Sequence, residues 1–344
     1  AVDNGWYAAG LILVRQAFPQ LAKRATALLD ETNTAQGTQG TRGFGIFYDN
    51  GAQDPTPNQT PAGQQFGGYI ADVGPANFHY GLLNTETRIG AYVGIGTHTM
   101  PGDVWWRTWR TLPRSFTWQG QAPQPVPPRL VTYLDPQSGK AFTVDESYYS
   151  WPTAGGTPFV PSWGGSQFEA LMDPLAIPEA SWGPHSFGIN DRRYAQAQVT
   201  YATQTLGYPV WGLSPSSTPD DTGHYDAYGA QGMASNANCC PYDQWAVTPH
   251  ATFVALPFVP HDAMTNIQRL RTLYPGIYGP YGFYDALNPR TGQVGHRYLV
   301  LDEAMLFAGL FDALRDGGLQ KYYARDPIIK AARPYLSLET FSVH

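Results

Sequence analysis

The chain is poor in charge, in lysine, in cysteine and in long apolar runs, and each shortage excludes something. Only 14% of its 344 residues are charged and the formal net charge is −6, so it lacks the basic surface that nucleic acid requires. Four lysines stand against 17 arginines, which we attribute to genome composition. No run of apolar residues reaches the length of a membrane span. The two cysteines are adjacent, Cys239-Cys240, which is not the paired spacing of a zinc site. Two ordinary buried thiols are the expected state, with a strained vicinal disulfide as the alternative. The eight histidines are scattered and none shows His-x-x-x-His spacing with acids, so no metal or cofactor is expected. Phosphate-binding glycine loops are absent, and Trp211-Gly-Leu-Ser-Pro lacks the second glycine of a serine nucleophile elbow.

Aromatic residues are abundant, at 14%, with 10 Trp, 22 Tyr and 16 Phe. Rings lie flat against the C–H faces of sugars, so low charge with many aromatics suits a secreted or periplasmic protein that handles a neutral polysaccharide. Asn58-Gln-Thr60 fits a glycosylation acceptor, relevant only to a eukaryotic secretory route.

The chain reads as helices joined by long Pro- and Gly-rich loops. Helices are expected over 4–30 with a break at Pro19, and over 86–97, 103–111, 166–172, 191–206, 261–273, 299–316 and 326–332. Short strands are expected at 44–48 and 130–134, and a proline cluster occupies 123–128. No linker divides the chain, so 1–344 is expected to form one domain. Helices in a ring with loops gathered over one end fit this pattern.

Glycoside hydrolysis needs two carboxyl groups, one protonated and one ionised. Asp302 and Glu303 sit in a stretch, Tyr298 to Phe311, that is apolar on nearly every face and should be mostly buried. An acid in such a setting must be paired or neutralised. Asp285 lies in the aromatic loop Tyr278-Gly-Pro-Tyr-Gly-Phe-Tyr-Asp285 just upstream. Glu169 stands three residues after Ser166, the spacing of a capping box, and follows a Trp163-Gly-Gly loop suited to approaching a sugar. Capping and catalysis are both open for it. Glu86 has Arg88 nearby and could form an ion pair. Trp163, Trp211, Tyr225, Tyr228, Tyr281, Phe283 and Tyr284 stand in Gly-rich loops and read as sugar platforms. Trp105, Trp106 and Trp109 read as core.

Several of these segments, in order, carry a resemblance. Pro161-Ser-Trp-Gly-Gly-Ser-Gln-Phe-Glu-Ala-Leu-Met172, Trp211-Gly-Leu-Ser-Pro-Ser216, Tyr225-Asp-Ala-Tyr-Gly229, Val247-Thr-Pro-His250, Tyr281-Gly-Phe-Tyr-Asp-Ala286 and Tyr298-Leu-Val-Leu-Asp302 together resemble the glycoamylase-like domain. That domain is shared by bacterial endo-β-1,2-glucanases and the processing domain of cyclic β-1,2-glucan synthases. Asp3-Asn-Gly-Trp6 and Asn84-Thr-Glu86 are also similar to bacterial members. The resemblance implies an all-α fold, an (α/α)6 toroid of twelve helices with a few short strands; about nine or ten helices are read here, so either short ones are missed or the first pair lies before Ala1. It implies an inverting, endo-acting β-1,2-glucanase, with Glu169 as acid, Asp302 as base and Asp285 its rival, and Glu86 and Arg88 among the substrate contacts. Arg88, Arg192 and Arg297 would be the donors holding one acid ionised. Many relatives read Asp-Gln-Gly where this chain has Asp302-Glu303-Ala304, which leaves the base open among Asp302, Glu303 and Asp285. The rivals are another glycosidase or transglycosylase on the same scaffold, a polysaccharide lyase, disfavoured by the acidic balance, and a non-catalytic glycan-binding protein.

Overall fold

A computed structural model describes residues 1–37, 41–51, 61–113, 129–236 and 240–343. Asn58-Gln-Thr60, the proline cluster and Cys239 lie outside the described residues. The α-helices, in order, are α1 Val2–Ala17, α2 Ala22–Thr34, α3 Arg88–Gly96, α4 Asp103–Arg107, α5 Gln167–Leu171, α6 Glu179–Trp182, α7 Phe187–Thr200, α8 Pro249–Ala255, α9 Pro260–Leu273, α10 Val300–Arg315, α11 Gly318–Tyr323, α12 Pro327–Lys330 and α13 Arg333–Leu338. Strands are short and pair as antiparallel hairpins. The longest pairs β1 (Leu130–Leu134) with β2 (Ala141–Asp145), Tyr133 opposite Phe142. Two others matter for the site or its rim: β3 (Ser216–Ser217) with β4 (Tyr225–Asp226), and β5 (Tyr278–Gly279) with β6 (Gly282–Phe283).

Local chemistry explains the breaks. Pro19 opens a short 3-10 turn between α1 and α2, as a residue without a backbone N–H must. The buried face of α1 is Gly5, Ala8, Ala9 and Ile12, a helical stripe of small residues that brings it close to α3. A Cβ at Gly5 would lie 2.8 Å from Ile89 Cγ2 and 3.0 Å from the Gly90 nitrogen. Residues 44–48 are not a strand. Gly43–Phe47 is a 3-10 helix with four of its five residues buried, so the alternation that a half-buried strand needs is missing.

The helices pack in series. α3 contacts α1, α1 contacts α11, α11 contacts α10, α10 contacts α8, α8 contacts α5, α5 contacts α7, α7 contacts α6 and α6 contacts α13. Trp105 on α4 then joins the two ends, with its ring against Tyr92, Phe187 and Tyr335 and its indole N–H donating to Glu339 at 2.9 Å. Trp105 and Trp106 are buried as expected, while Trp109 is half-buried against the Leu82 and Leu112 cluster.

Two expectations are corrected here. α10 is not buried on most faces: Val300, Phe307 and Leu314 are exposed, and its buried residues are Asp302, Met305, Gly309 and Asp312. Two aspartates therefore share its inner side with Met305 and Gly309. Gly309 allows the approach to α8, since a Cβ there would sit 2.1 Å from the Phe253 carbonyl oxygen. Cys240 is exposed and disulfide-bonded rather than a buried thiol.

Candidate active site

Glu169 occupies the third position of α5, and the capping box is complete. Ser166 accepts from the Glu169 N–H at 3.2 Å, and the Ser166 N–H donates to Glu169 Oε2 at 3.2 Å. Capping is only part of its surroundings. Ser162 Oγ donates to Oε2 at 2.8 Å, the Gly164 N–H lies 3.0 Å from both carboxylate oxygens, and the Tyr242 hydroxyl donates to Oε1 at 3.2 Å. A helix cap alone does not need a ring of donors from two loops, the one before α5 and the one that carries Tyr242.

Glu86 lies near it, on the turn leading into α3. That turn is pinned by Asn84, whose side chain donates to the Val160 carbonyl at 2.9 Å, and by the Thr85 hydroxyl, which donates to the Leu82 carbonyl at 2.8 Å. Glu86 Oε2 has no hydrogen-bond partner among the described residues. Burial first, and then the charge of Glu169, pushes Glu86 up to about 8. Burial also raises Glu169, against the pull of its donors. Two buried acids this close cannot both ionise freely, so the pair retains a proton at neutral pH. Tyr80 and Tyr242 border it: burial and then the two acids raise Tyr80, and Glu169 raises Tyr242.

A second acidic group forms on the inner face of α10. Asp302 Oδ2 is 3.3 Å from His250 Nδ1, with both side chains buried. Burial works against the Asp302 charge, but His250 more than offsets it and holds the carboxyl below its ordinary range. Asp285, in the loop after β6, accepts from the Ser217 N–H at 2.6 Å. Burial first, and then its hydrogen bond with Asp302, pushes Asp285 up to about 7. Glu303 is raised too, by burial and then by Asp302. Around Asp302 an ionised carboxylate thus sits beside a carboxyl that carries a proton up to neutrality.

Half-exposed Tyr225 on β4 relates the two groups. Its phenol is raised by burial and then by the charges of Asp302, Asp285 and Glu86, so all three acids lie within its electrostatic reach.

Ligand atoms of His250, Asp285 and Asp302 all lie within 4.8 Å of one another, the one such grouping among the described residues. A cation there would have to displace the proton between the two aspartates and the imidazole pairing of Asp302. We read the trio as a proton-sharing group and assign it no metal.

The expected sugar platforms divide. Tyr281 is 84% and Tyr225 51% exposed, and Trp163 and Tyr284 are half-buried. Trp211, Tyr228 and Phe283 are buried and are not free to stack on a ligand. Gly-rich loops bring rings inward as readily as outward. Arg88 is also buried, bonded bidentately to Glu179 at 2.8 and 2.9 Å and 3.4 Å from Asp173; it forms a structural ion pair, not one with Glu86 and not a substrate contact. The donors around the acids are backbone N–H groups, hydroxyls and His250 rather than arginines: Arg192 is exposed and Arg297 donates to the Asp221 carbonyl at 2.8 Å. Sequence reasoning gave no role to His250, Tyr80 or Tyr242. The Thr248-Pro-His250 helix start was a signal for the first. Nothing local marks the two tyrosines.

The helical scaffold that carries these buried acids has known relatives. Residues 136–327 match the Glycoamylase family model, described as putative glucoamylase; this is more than half of the chain, which belongs to that family. Over 203 residues it is 28% identical to the cyclic β-(1,2)-glucan synthase NdvB of Rhizobium meliloti (strain 1021), covering 52% of this chain but 7% of the synthase. Among solved structures, a putative glucoamylase from Bacteroides uniformis superposes with a TM-score of 0.64 at 17% identity, covering 98% of this chain and 70% of that one. The endo-β-1,2-glucanase of Chitinophaga pinensis, in complex with sophorotriose and glucose, gives 0.62 at 17% identity, with 96% and 69% covered. A Talaromyces funiculosus endo-β-1,2-glucanase mutant bound to β-1,2-glucan gives 0.63 at 13% identity, with 97% and 61% covered. At these identities the structural likeness speaks for the fold.

Proposed function

We propose that this chain is a glycoside hydrolase that cleaves a neutral glucan, with endo-acting hydrolysis of β-1,2-glucan as the best reading, and that residues 1–344 act as one catalytic unit. The observation that carries it is the pairing of two unlike acidic groups: Glu86 and Glu169, which retain a proton, and Asp302, which His250 keeps ionised. Hydrolysis with inversion needs one of each, on opposite sides of the scissile bond. In this scheme Glu169 delivers the shared proton to the departing glycosidic oxygen, and Glu86 holds that proton between turnovers. Asp302 removes a proton from the attacking water, directly or through a substrate hydroxyl. Asp285, protonated near neutrality, donates to Asp302 and orients it. Trp163, Tyr225, Tyr281 and Tyr284 supply the rings on which sugars stack.

The sequential packing of helices that returns to its start through Trp105 supports reading the architecture as an (α/α)6 toroid. No helix among the described residues is long and apolar enough to cross a membrane, which is compatible with the secreted or periplasmic location we propose. The relatives that handle β-1,2-linked glucans motivate the linkage. Product analysis after incubation with a panel of neutral glucans tests the reading. Short β-1,2-linked oligosaccharides are expected; cleavage of a different glucan would replace the linkage, and binding without cleavage of any polymer would replace the enzyme by a glycan-binding protein.

A further inference from the structure

His250 lies on α8, all seven of whose residues are buried, where an apolar side chain would pack without electrostatic cost. Its two ring nitrogens are both engaged. Nδ1 is 2.8 Å from Thr248 Oγ1 and 3.3 Å from Asp302 Oδ2; Nε2 is 3.0 Å from Ser214 Oγ. Ser214, fully buried, also accepts the Phe168 N–H at 3.1 Å. Phe168 immediately precedes Glu169 in the first turn of α5. One residue earlier, the Gln167 N–H donates to the Leu213 carbonyl at 3.2 Å, and Gln198 clamps Leu213 from the other side at 2.8 and 3.0 Å. An unbroken buried chain therefore runs from Asp302 through His250 and Ser214 to the amino end of the helix bearing Glu169.

We infer that His250 is a positioning residue that, with Ser214, fixes the proposed base on α10 relative to the proposed acid on α5. The inference rests on the reading above, in which those two carboxyls do the chemistry. Several facts support a positioning role over simple core filling. Besides the bond from Nδ1 to the Thr248 cap of its own helix, the ring reaches outward to Asp302 on α10 and to Ser214, which holds the first turn of α5. The charged groups acting on it are Asp302, Asp285 and Glu303, all acids; burial opposes its charge, but these acids raise it above its ordinary value. An imidazolium there directs its Nδ1–H to Thr248 Oγ1 with Asp302 Oδ2 alongside at 3.3 Å and its Nε2–H to Ser214 Oγ, and the serine oxygen, with the Phe168 N–H as its other partner, has lone pairs for both. Gly309 lets α10 come close enough to α8 for the Asp302 contact.

The test compares wild type, His250→Asn and Ser214→Ala on whichever glucan the wild type cleaves. For His250→Asn we expect kcat to fall about 10- to 100-fold, the loss a displaced catalytic group brings, with KM within about threefold. The acidic limb of the pH profile should move upward by about one to two units, because Asp302 loses its cationic partner. Ser214→Ala should lower kcat less and leave that limb in place. An unmoved limb and unchanged kcat in His250→Asn would overturn the inference, as would a loss of kcat that follows a fall in Tm with the limb unmoved. A readout independent of activity is the pH titration of the His250 ring 15N shifts: its midpoint should lie above that of an ordinary imidazole in wild type and fall in Asp302→Asn. A midpoint unmoved by Asp302→Asn overturns the inference whatever the activity. A raised midpoint in a wild type that cleaves no glucan keeps the ion pair and counts instead against the glycosidase reading.

Discussion

Glu169→Gln separates the two duties of that side chain. The carboxylate now receives Ser162, Gly164, Ser166 and Tyr242. An amide can keep its oxygen where Oε2 lies, accepting from Ser162, Gly164 and Ser166, and turn its NH2 toward the Tyr242 oxygen. The Tyr242 O–H loses its acceptor at Oε1 and must turn away, the NH2 lies against the Gly164 N–H, and charge-assisted bonds become neutral ones. That weakening costs about 1–3 kcal/mol, partly offset because the unfavourable proximity to Glu86 disappears. With about 2–4 °C of Tm per kcal/mol for a large domain, the variant should melt only a few degrees lower. Its activity should fall by about 10²- to 10⁴-fold, the usual worth of a general acid. Ser166→Ala is the matching control: it removes the cap, costs about 1 kcal/mol, and should leave most of the activity. The assay is oligosaccharide release with thermal unfolding of the same samples. Glu169→Gln activity within about threefold of wild type would refute the acid assignment. Equal losses in both variants would reduce Glu169 to a cap.

Asp285→Asn should be mild, within about tenfold of wild type in kcat, because the amide reproduces the protonated acid, accepting from Ser217 and donating to Asp302; a loss as deep as that of Asp302→Asn would make Asp285 the base. Glu146 is buried beside the Glu339–Arg110 ion pair and is pushed up to about 10 by burial and then by Glu339. A folded value above the unfolded one means its stabilising contribution is full below about pH 4.5 and is lost as pH rises toward 10. Glu146→Gln, whose NH2 can replace that proton toward Glu339, should therefore gain stability relative to wild type as pH rises from 5 to 9 in denaturant titrations; a constant difference would contradict the shared proton. Tyr281→Ala, at an 84% exposed ring, should leave Tm unchanged and weaken polysaccharide affinity by about 1–2 kcal/mol in binding titrations, the scale of an aromatic contact; unchanged affinity would remove Tyr281 from the cleft rim.

Much of this was legible in the sequence because it is local. The capping box, the Pro19 break and the long helices α9 and α10 follow from residues within one or two turns of each other. α8 was overlooked because its seven residues, Pro249–Ala255, carry no polar face against which a period could be read. Periodicity misled at α10, where apolar residues point outward at Val300, Phe307 and Leu314 while two aspartates point inward. Composition cannot state which acids of a helix turn inward beside its apolar residues; only the partners at His250 and at α8 do. The buried Trp211, Tyr228 and Phe283 show the same limit for loops, whose rings take their direction from distant packing. Glu86 and Glu169 come together through Asn84 and Val160, 76 residues apart. Tyr242 reaches Glu169 across 73 residues, a distance over which no motif reads.

The most direct test of the central claim is glucan hydrolysis by wild type and by Asp302→Asn, with glucan affinity measured on both. The account predicts short β-1,2-linked oligosaccharides from the wild type, a rate lower by about 10³-fold or more in the variant, and an affinity within a few-fold for both. A variant that hydrolyses glucan at close to the wild-type rate would contradict it, because the ionised carboxylate held by His250 would then have no part in breaking the bond.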